Sequence, residues 1–337
     1  MMSINRRAFV GVVAGIAAVT VVPRAARAAE FTYKLGHDQP ITHPQHIRAV
    51  EAANKIASAS GGRMALEIYP NSQLGSDTQM VAQVRSGALE MTLQGDIILG
   101  NIVPAASLAG LPFAFAGYDE LWRALDGEFG RAIHAEIERK TGLHVMEKGW
   151  DAGFRHLFTS EKLVRSAADM KGLKLRVPAA AIDQSLFKSL GSAPTPVPSG
   201  DVYTALQTRL VDGAEGPLVT IENAKYYEAA KIVSLTSHQP TPFELVVNGV
   251  AWQRLPKDLQ AIASQYLNEA ALLARADIAN GEGGLKQRLR SQGVTLVDPD
   301  RDSFRRAVRD AGLYRQWRDS YGAAPFAMLE KVVGTLA

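Results

Sequence analysis

The sequence predicts an α/β protein of two domains, and three observations carry that reading. The chain is 337 residues long, which at about 150 residues per domain suggests two cores. Short alternating apolar stretches follow one another with amphipathic, helix-length segments between them, the order of layered α/β units. Residues 257–290 then read as one long helix, interrupted by Gly281, Gly283 and Gly284, that could brace two domains. Composition agrees: 47% of residues are hydrophobic and 21% charged, close to soluble globular averages. Disorder, collagen-like repeats and a multi-span membrane protein are excluded on that ground.

Phe31, Tyr33 and Leu35 alternate as a strand entering Gly36-His37. Pro44 suits the first turn of a helix that stops at Gly61-Gly62. Met64, Leu66 and Ile68 alternate again and end at Pro70. Ser76 can cap a helix carrying Met80, Val81 and Val84, closed by Gly87. Leu89, Met91 and Leu93 make the next strand. Residues 118–140 read as an amphipathic helix and Leu143–Trp150 as a strand. A second round gives strands near 153–159 and at Leu173–Val177, helices from about 180 and 201, and a short strand at Leu210–Ala214. With no repeat, low-complexity tract or flexible linker in view, several crossings between domains fit better than one hinge.

The formal charge of +3 invites a nucleic-acid reading, but its source is local. Residues 1–28 hold Arg6, Arg7, Arg24 and Arg27 and no acid, and without them 33 cations face 34 anions, so the rest is near neutral. That leader has the parts of an export signal: Arg6-Arg7, an apolar run from Val10 to Val22, and Ala26-Arg27-Ala28 as an A-x-A cleavage pattern before Ala29. The run is too short to span a membrane, which needs roughly 20 apolar residues. The paired arginines before Phe9 point to the twin-arginine route, although a Sec signal can begin the same way. The expectation is a cleaved signal peptide over 1–28 and a mature periplasmic protein.

Little specifies catalysis. The absence of cysteine excludes disulfides, thiolate nucleophiles and Cys-ligated zinc. His43 and His46 can share a helix face, but no H-E-x-x-H or third ligand accompanies them. Structural or surface roles suit the seven histidines better. Asp298, Asp300 and Asp302 imitate the start of a calcium loop, which Pro299, Ser303 and Arg309 break; a turn and helix cap is the better reading. No nucleophile elbow, P-loop or complete dinucleotide fingerprint occurs. No metal, cofactor or catalytic residue is expected. One segment is informative. In Gly172–Pro178, Leu173, Leu175 and Val177 form the apolar face of a strand, leaving Lys174 and Arg176 on the other. An arginine there can present its guanidinium fork to a cleft and hold a carboxylate by two parallel hydrogen bonds. On composition alone, a solvent-facing arginine paired with a surface acid is the commoner arrangement.

The segment, with others in order along the chain, resembles the DctP-type solute-binding proteins of TRAP (tripartite ATP-independent periplasmic) transporters. The matching pieces are Ser60–Arg63, Tyr69-Pro70, Leu74-Gly75, Val84–Glu90, Leu111–Phe115, Gly153–Arg155, Lys171–Pro178, Val202–Thr208 and Val211–Gly213. The resemblance implies a two-lobed periplasmic binding protein fold with a ligand cleft between the lobes and a long bracing helix. It places 29–152 plus about 242–280 in lobe I, and 153–241 plus about 281–337 in lobe II. It also implies that Arg176 is the principal carboxylate-binding residue and Arg155 an auxiliary one. Where the family commonly has Asn after Asp-Gly-x-Glu, this chain has Gly216 after Glu215, and Ser199 stands where some sialic-acid-binding members carry an aromatic residue. Trp150 could stack on a ligand or belong to a core. Gln94 and Asp96 follow the third strand, where a cleft-facing loop would sit.

The expected function is periplasmic binding of a small organic acid and its delivery, by a monomer, to the small and large TRAP membrane subunits, with no nucleic-acid partner. Two alternatives remain open at this point. One is a secreted hydrolase or lyase using His43, His46 and nearby acids, the other a binding subunit of a sensor system.

Overall fold

A computed structural model describes residues 28–336. The leader features Arg6-Arg7, Val10–Val22 and Ala26-Arg27 lie outside the described residues. Among the described residues, no helix is long and apolar enough to cross a membrane.

The chain first runs β1 (Phe31–Gly36), α1 (Pro44–Ala59), β2 (Met64–Tyr69), α2 (Asp77–Ser86), β3 (Met91–Gly95) and α3 (Asp96–Leu99). It continues through α4 (Tyr118–Leu125), α5 (Glu128–Thr141), β4 (Leu143–Val145) and β5 (Trp150–Asp151). The second lobe holds β6 (Arg155–Thr159), β7 (Lys174–Val177), α6 (Ala181–Ser189), β8 (Ala193–Pro196), α7 (Val202–Gln207), β9 (Gly213–Pro217), α8 (Leu218–Asn223) and β10 (Ile232–Gln239). Then β11 (Pro242–Asn248) and α9 (Gly249–Arg254) return to the first lobe before α10 (Lys257–Ser291), β12 (Thr295–Val297), α11 (Arg301–Asp310), α12 (Leu313–Tyr321) and α13 (Ala323–Val333).

Local chemistry sets several boundaries. His43 caps α1, its Nδ1 accepting from the Gln45 amide at 3.2 Å, with Pro44 as the first helical residue. The Ser76 amide donates to Gln79 Oε1 at 2.8 Å, and α2 ends at Gly87 with φ 81°, a conformation glycine adopts without penalty. Asp300 caps α11 by accepting from Ser303 N at 3.1 Å, so the acidic triplet is a turn and cap.

The first sheet has the order β2-β1-β3-β11-β4, with β5 also on β11; the second runs β12-β10-β6-β9-β7-β8. The first three strands are parallel, and β11 inserts antiparallel between β3 and β4. Two chain segments therefore cross between the sheets, at 152–154 and 240–241, and the Ala152 amide donates to the Thr241 carbonyl at 3.1 Å where they pass. The third crossing is α10. Leu259, Leu267 and Ala274 lie in the apolar cluster of the first sheet, whereas Leu285 and Leu289 lie in a cluster of the second. Its glycines fall between those two anchorages. C-terminally, α13 packs on α4 and α5 while α11 and α12 touch α6.

Some elements differ from expectation. The helix over 118–140 is two helices, because the chain turns at Asp126-Gly127 and α5 begins afresh; a Cβ on Gly130 would overlap the Leu125 carbonyl. The strand over 143–150 is two short pieces on the same partner, β11. The third strand begins two residues later than the alternation suggests, and β9 begins at Gly213 instead of Leu210. Finally, α10 runs 35 residues unbroken across its glycines.

Candidate functional site

Where the strands of both sheets end against each other, a cavity of about 350 Å³ opens between the lobes. The first lobe contributes Asp38 from the end of β1, Asn71, Asp77 from the first turn of α2, and Gln94 and Gly95 from the end of β3. Arg155, Arg176, Ser199, Glu215, Gly216 and Tyr226 come from the second lobe. Crevices outside strand ends are the usual binding place in such folds. Hydrogen bonds join the lobes around it: Asn101 Nδ2 to the Ala179 carbonyl at 2.6 Å, and Ser199 Oγ to Asp77 Oδ2 at 3.1 Å.

The two arginines are equally buried, each 5% exposed, and differ in what they touch. Arg155 is bidentate to Glu215: Nε reaches Oε2, and a terminal nitrogen reaches Oε1 at 2.5 Å. His238 Nε2 stands 3.2 Å from the same Oε2, and its Nδ1 lies 2.8 Å from Thr236 Oγ. Burial alone would raise the Glu215 pKa, but the Arg155 charge overrides it and holds the carboxyl at about 2. Burial lowers the pKa of His238, so it donates as a neutral imidazole. Arg155 and Glu215 thus satisfy each other, and their joint contribution to the cavity is polar with no net charge.

Arg176 gives both Nε and a terminal nitrogen to one acceptor, the Val197 carbonyl, at 2.9 and 2.7 Å. It makes no ion pair among the described residues. Desolvation lowers its pKa, outweighing the attraction of Glu215 and Asp77, which act on it without touching it. Strand β7 lies between β8 and β9 and ends at Val177, one residue beyond the guanidinium bearer. This places a positive charge with unused N–H groups at the cavity wall, an arrangement suited to a carboxylate entering from the cleft. Asp183 lies enclosed nearby with both carboxylate oxygens unpartnered; burial, and then Glu215, raise its pKa to about 7.

Of the residues singled out from sequence, Arg176, Arg155, Gln94, Glu215, Gly216 and Ser199 line this one cavity. Trp150 and Asp96 do not. Trp150 is fully buried in the apolar cluster of the first sheet, where β5 adds to β11. Asp96 starts α3 with its side chain enclosed, and burial together with Glu244 raises its pKa well above the usual carboxylate range. Glu244 is held by His134 at 3.0 Å. His43 and His46 are off the cavity wall; His37 Nε2 meets His46 Nδ1 at 3.1 Å, and burial keeps His37 and His43 at about 3. No cluster able to hold a metal ion occurs among the described residues. Sequence reasoning missed Asp38, Asp77 and Tyr226. For the two aspartates a signal existed, since both stand at strand or helix ends facing the same side of an α/β unit.

Residues 35–317 match the model of the bacterial extracellular solute-binding proteins, family 7, named DctP. A solute-binding protein of Roseobacter denitrificans is 32% identical over 308 residues, covering 89% of this chain and 92% of its own. Its crystal structure, with bound L-galactonate, superposes with a TM-score of 0.84 over 91% of this chain and 99% of that one. The 2,3-diketo-L-gulonate-binding periplasmic protein YiaO of Escherichia coli is 31% identical over 297 residues, 88% of this chain and 89% of its own. A TRAP periplasmic solute-binding protein of a Polaromonas species, bound to D-erythronate, has a TM-score of 0.85 at 27% identity, covering 90% and 99% of the two chains.

Proposed function

Because the chain belongs to the bacterial extracellular solute-binding proteins of family 7, we propose that it binds a small organic acid in the periplasm and delivers it to the membrane subunits of a TRAP transporter. The observation that carries the ligand class is Arg176, a buried guanidinium with no carboxylate partner among the described residues, at the wall of an interlobe cavity. The relatives bound to D-erythronate and L-galactonate, and the one named for 2,3-diketo-L-gulonate, support a carboxylate.

The cycle needs no chemistry on the ligand. With the lobes apart, the acid pairs its carboxylate with Arg176. Closure brings Asn101 to Ala179 and Ser199 to Asp77, excludes water and strengthens the ion pair in the lower dielectric. Arg155, already satisfied by Glu215, acts as a fixed polar wall. The protein acts as a binding subunit without turnover. Export rests on the leader: cleavage before Ala29 and use of Arg6-Arg7 by the twin-arginine route.

Thermal shift against a panel of organic acids and their amides tests the reading, since ligand at 100 times Kd adds about 2.7 kcal/mol of stability. Acids should raise the melting temperature and their amides should not. Equal stabilisation by neutral analogues would remove Arg176 as the anion site. N-terminal sequencing of periplasmic material should give Ala29, and Arg6→Lys combined with Arg7→Lys should block export; unimpaired export of that double variant would remove the twin-arginine assignment.

A further inference from the structure

The carboxylate site at Arg176 leaves the kind of acid open, and the facing wall narrows it. That wall carries two carboxylates. Asp38 accepts from Gln39 Nε2 at 2.8 Å, and Asp77 accepts from Ser199 Oγ at 3.1 Å. Each carboxylate thus has one side-chain donor, and acceptor capacity is left over on both. Neither acid has an ion-pair partner among the described residues. Burial, and then the neighbouring Asp38, push Asp77 up to about 7.

Charges in the cavity can then be counted. Arg155 and Glu215 cancel, and the lining Lys225 is exposed to solvent. Among the described residues, Arg176 is the one buried cation of the wall left over, and Asp38 and Asp77 offer acceptors with too few donors. We infer that this wall selects a monocarboxylate bearing hydroxyl groups at the end remote from its carboxylate, and that Asp38 and Asp77 reject a second carboxylate there. The inference rests on Arg176 holding the first carboxylate. Hydroxyls supply the further donors these carboxylates can accept, and each can also accept from a neutral donor on the same wall such as the Asn71 amide. A second carboxylate would supply no donor and would stand beside like charges, a juxtaposition that costs several kcal/mol.

Calorimetric titration of the mature protein at pH 7.5 would compare six-carbon aldonates with the aldarates of the same configuration, which differ only in a carboxylate for the terminal hydroxymethyl. Hexanoate, 6-aminohexanoate and the matching alditols complete the set. The best aldonate should bind at least about 100-fold more tightly than its aldarate, the ratio that several kcal/mol implies. Hexanoate and 6-aminohexanoate should both be weaker than the aldonate. Asp77→Asn, and Asp38→Asn with Asp77→Asn, keep the shape of the wall and remove charge, so they should shrink the aldonate-to-aldarate ratio to about 10-fold or less. An aldarate bound as tightly as its aldonate, or a ratio unchanged in both variants, overturns the acidic-wall proposal while leaving Arg176 intact. So does 6-aminohexanoate binding more tightly than any aldonate. Failure of every acid to bind, or an alditol matching its aldonate with no loss in Arg176→Ala, overturns the Arg176 reading and this proposal with it.

Discussion

Arg155 and Arg176 are buried to the same degree, yet truncating them should have unequal consequences for the ligand-free fold. Arg155→Ala leaves the Glu215 carboxylate fully enclosed, with the neutral imidazole of His238 as its remaining side-chain donor. Breaking a buried pair by removing one partner costs about 3–5 kcal/mol. Arg176→Ala breaks no ion pair. It loses two hydrogen bonds to the Val197 carbonyl, worth about 1.5–3 kcal/mol with a charged donor, and it also relieves a desolvated cation. These effects offset, so the unliganded stability should move by no more than about 1 kcal/mol. In binding the order reverses. Losing the Arg176 contact should cost about 2–5 kcal/mol, or roughly 30- to several thousand-fold in Kd, and losing Arg155 should cost less. Urea unfolding without ligand measures the first quantity, and calorimetry with the best acid of the screen measures the second. Comparable loss of ligand-free stability in both variants would refute the division into a paired and an unpaired charge. Near wild-type affinity in Arg176→Ala would refute the site.

Acid should destabilise the fold through Glu215. Its pKa is about 2 in the folded chain against an ordinary 4.5, so its contribution is present above about pH 4.5 and is lost as pH falls toward 2. Asp151 has the opposite sign: burial raises it to about 7 from 3.8, so the fold loses stability as pH rises through that interval, and Asp151→Asn should flatten the slope of the urea midpoint between pH 4 and 7. Asn101→Ala removes an interlobe hydrogen bond and should weaken binding about 3- to 10-fold, seen as faster dissociation in stopped flow; an unchanged off-rate would show that this contact plays no part in closure. Gly281→Ala with Gly283→Ala places methyl groups in open space, so it should raise helix stability by about 1 kcal/mol per site while slowing lobe opening; unchanged opening kinetics would show that α10 does not bend there.

Alternation and caps made most of the first lobe legible in the sequence. Phe31–Leu35, Met64–Ile68 and the Ser76 start of α2 needed only local chemistry, and the structure has them at or beside the expected residues. Strands β10 and β11 escaped because Pro240 separates them, Pro242 opens β11, and their partners are distant: β6 lies about 75 residues back, and β3 about 150. The site divides in the same way. Arg176 could be placed on a strand face from the alternation around it. That Arg155 is already neutralised depends on Glu215, 60 residues away, and no local pattern carries such a pairing. Trp150 shows the same limit, since an aromatic at a strand end serves core and cleft equally well until the packing of α10 against it is known.

The position of β11 sets a timetable for biosynthesis. It is the bridge between β3 and β4, yet the ribosome makes it after nearly the whole of the other lobe. At about 5–20 residues per second, the 96 residues between Val145 and Pro242 take roughly 5–20 s to emerge. Through that interval β3 and β4 have unpaired backbone edges facing one another, a template for pairing with another nascent chain. A fragment ending before Asn248 therefore lacks the strand that joins β3 to β4 and should not accumulate as a stable half-molecule.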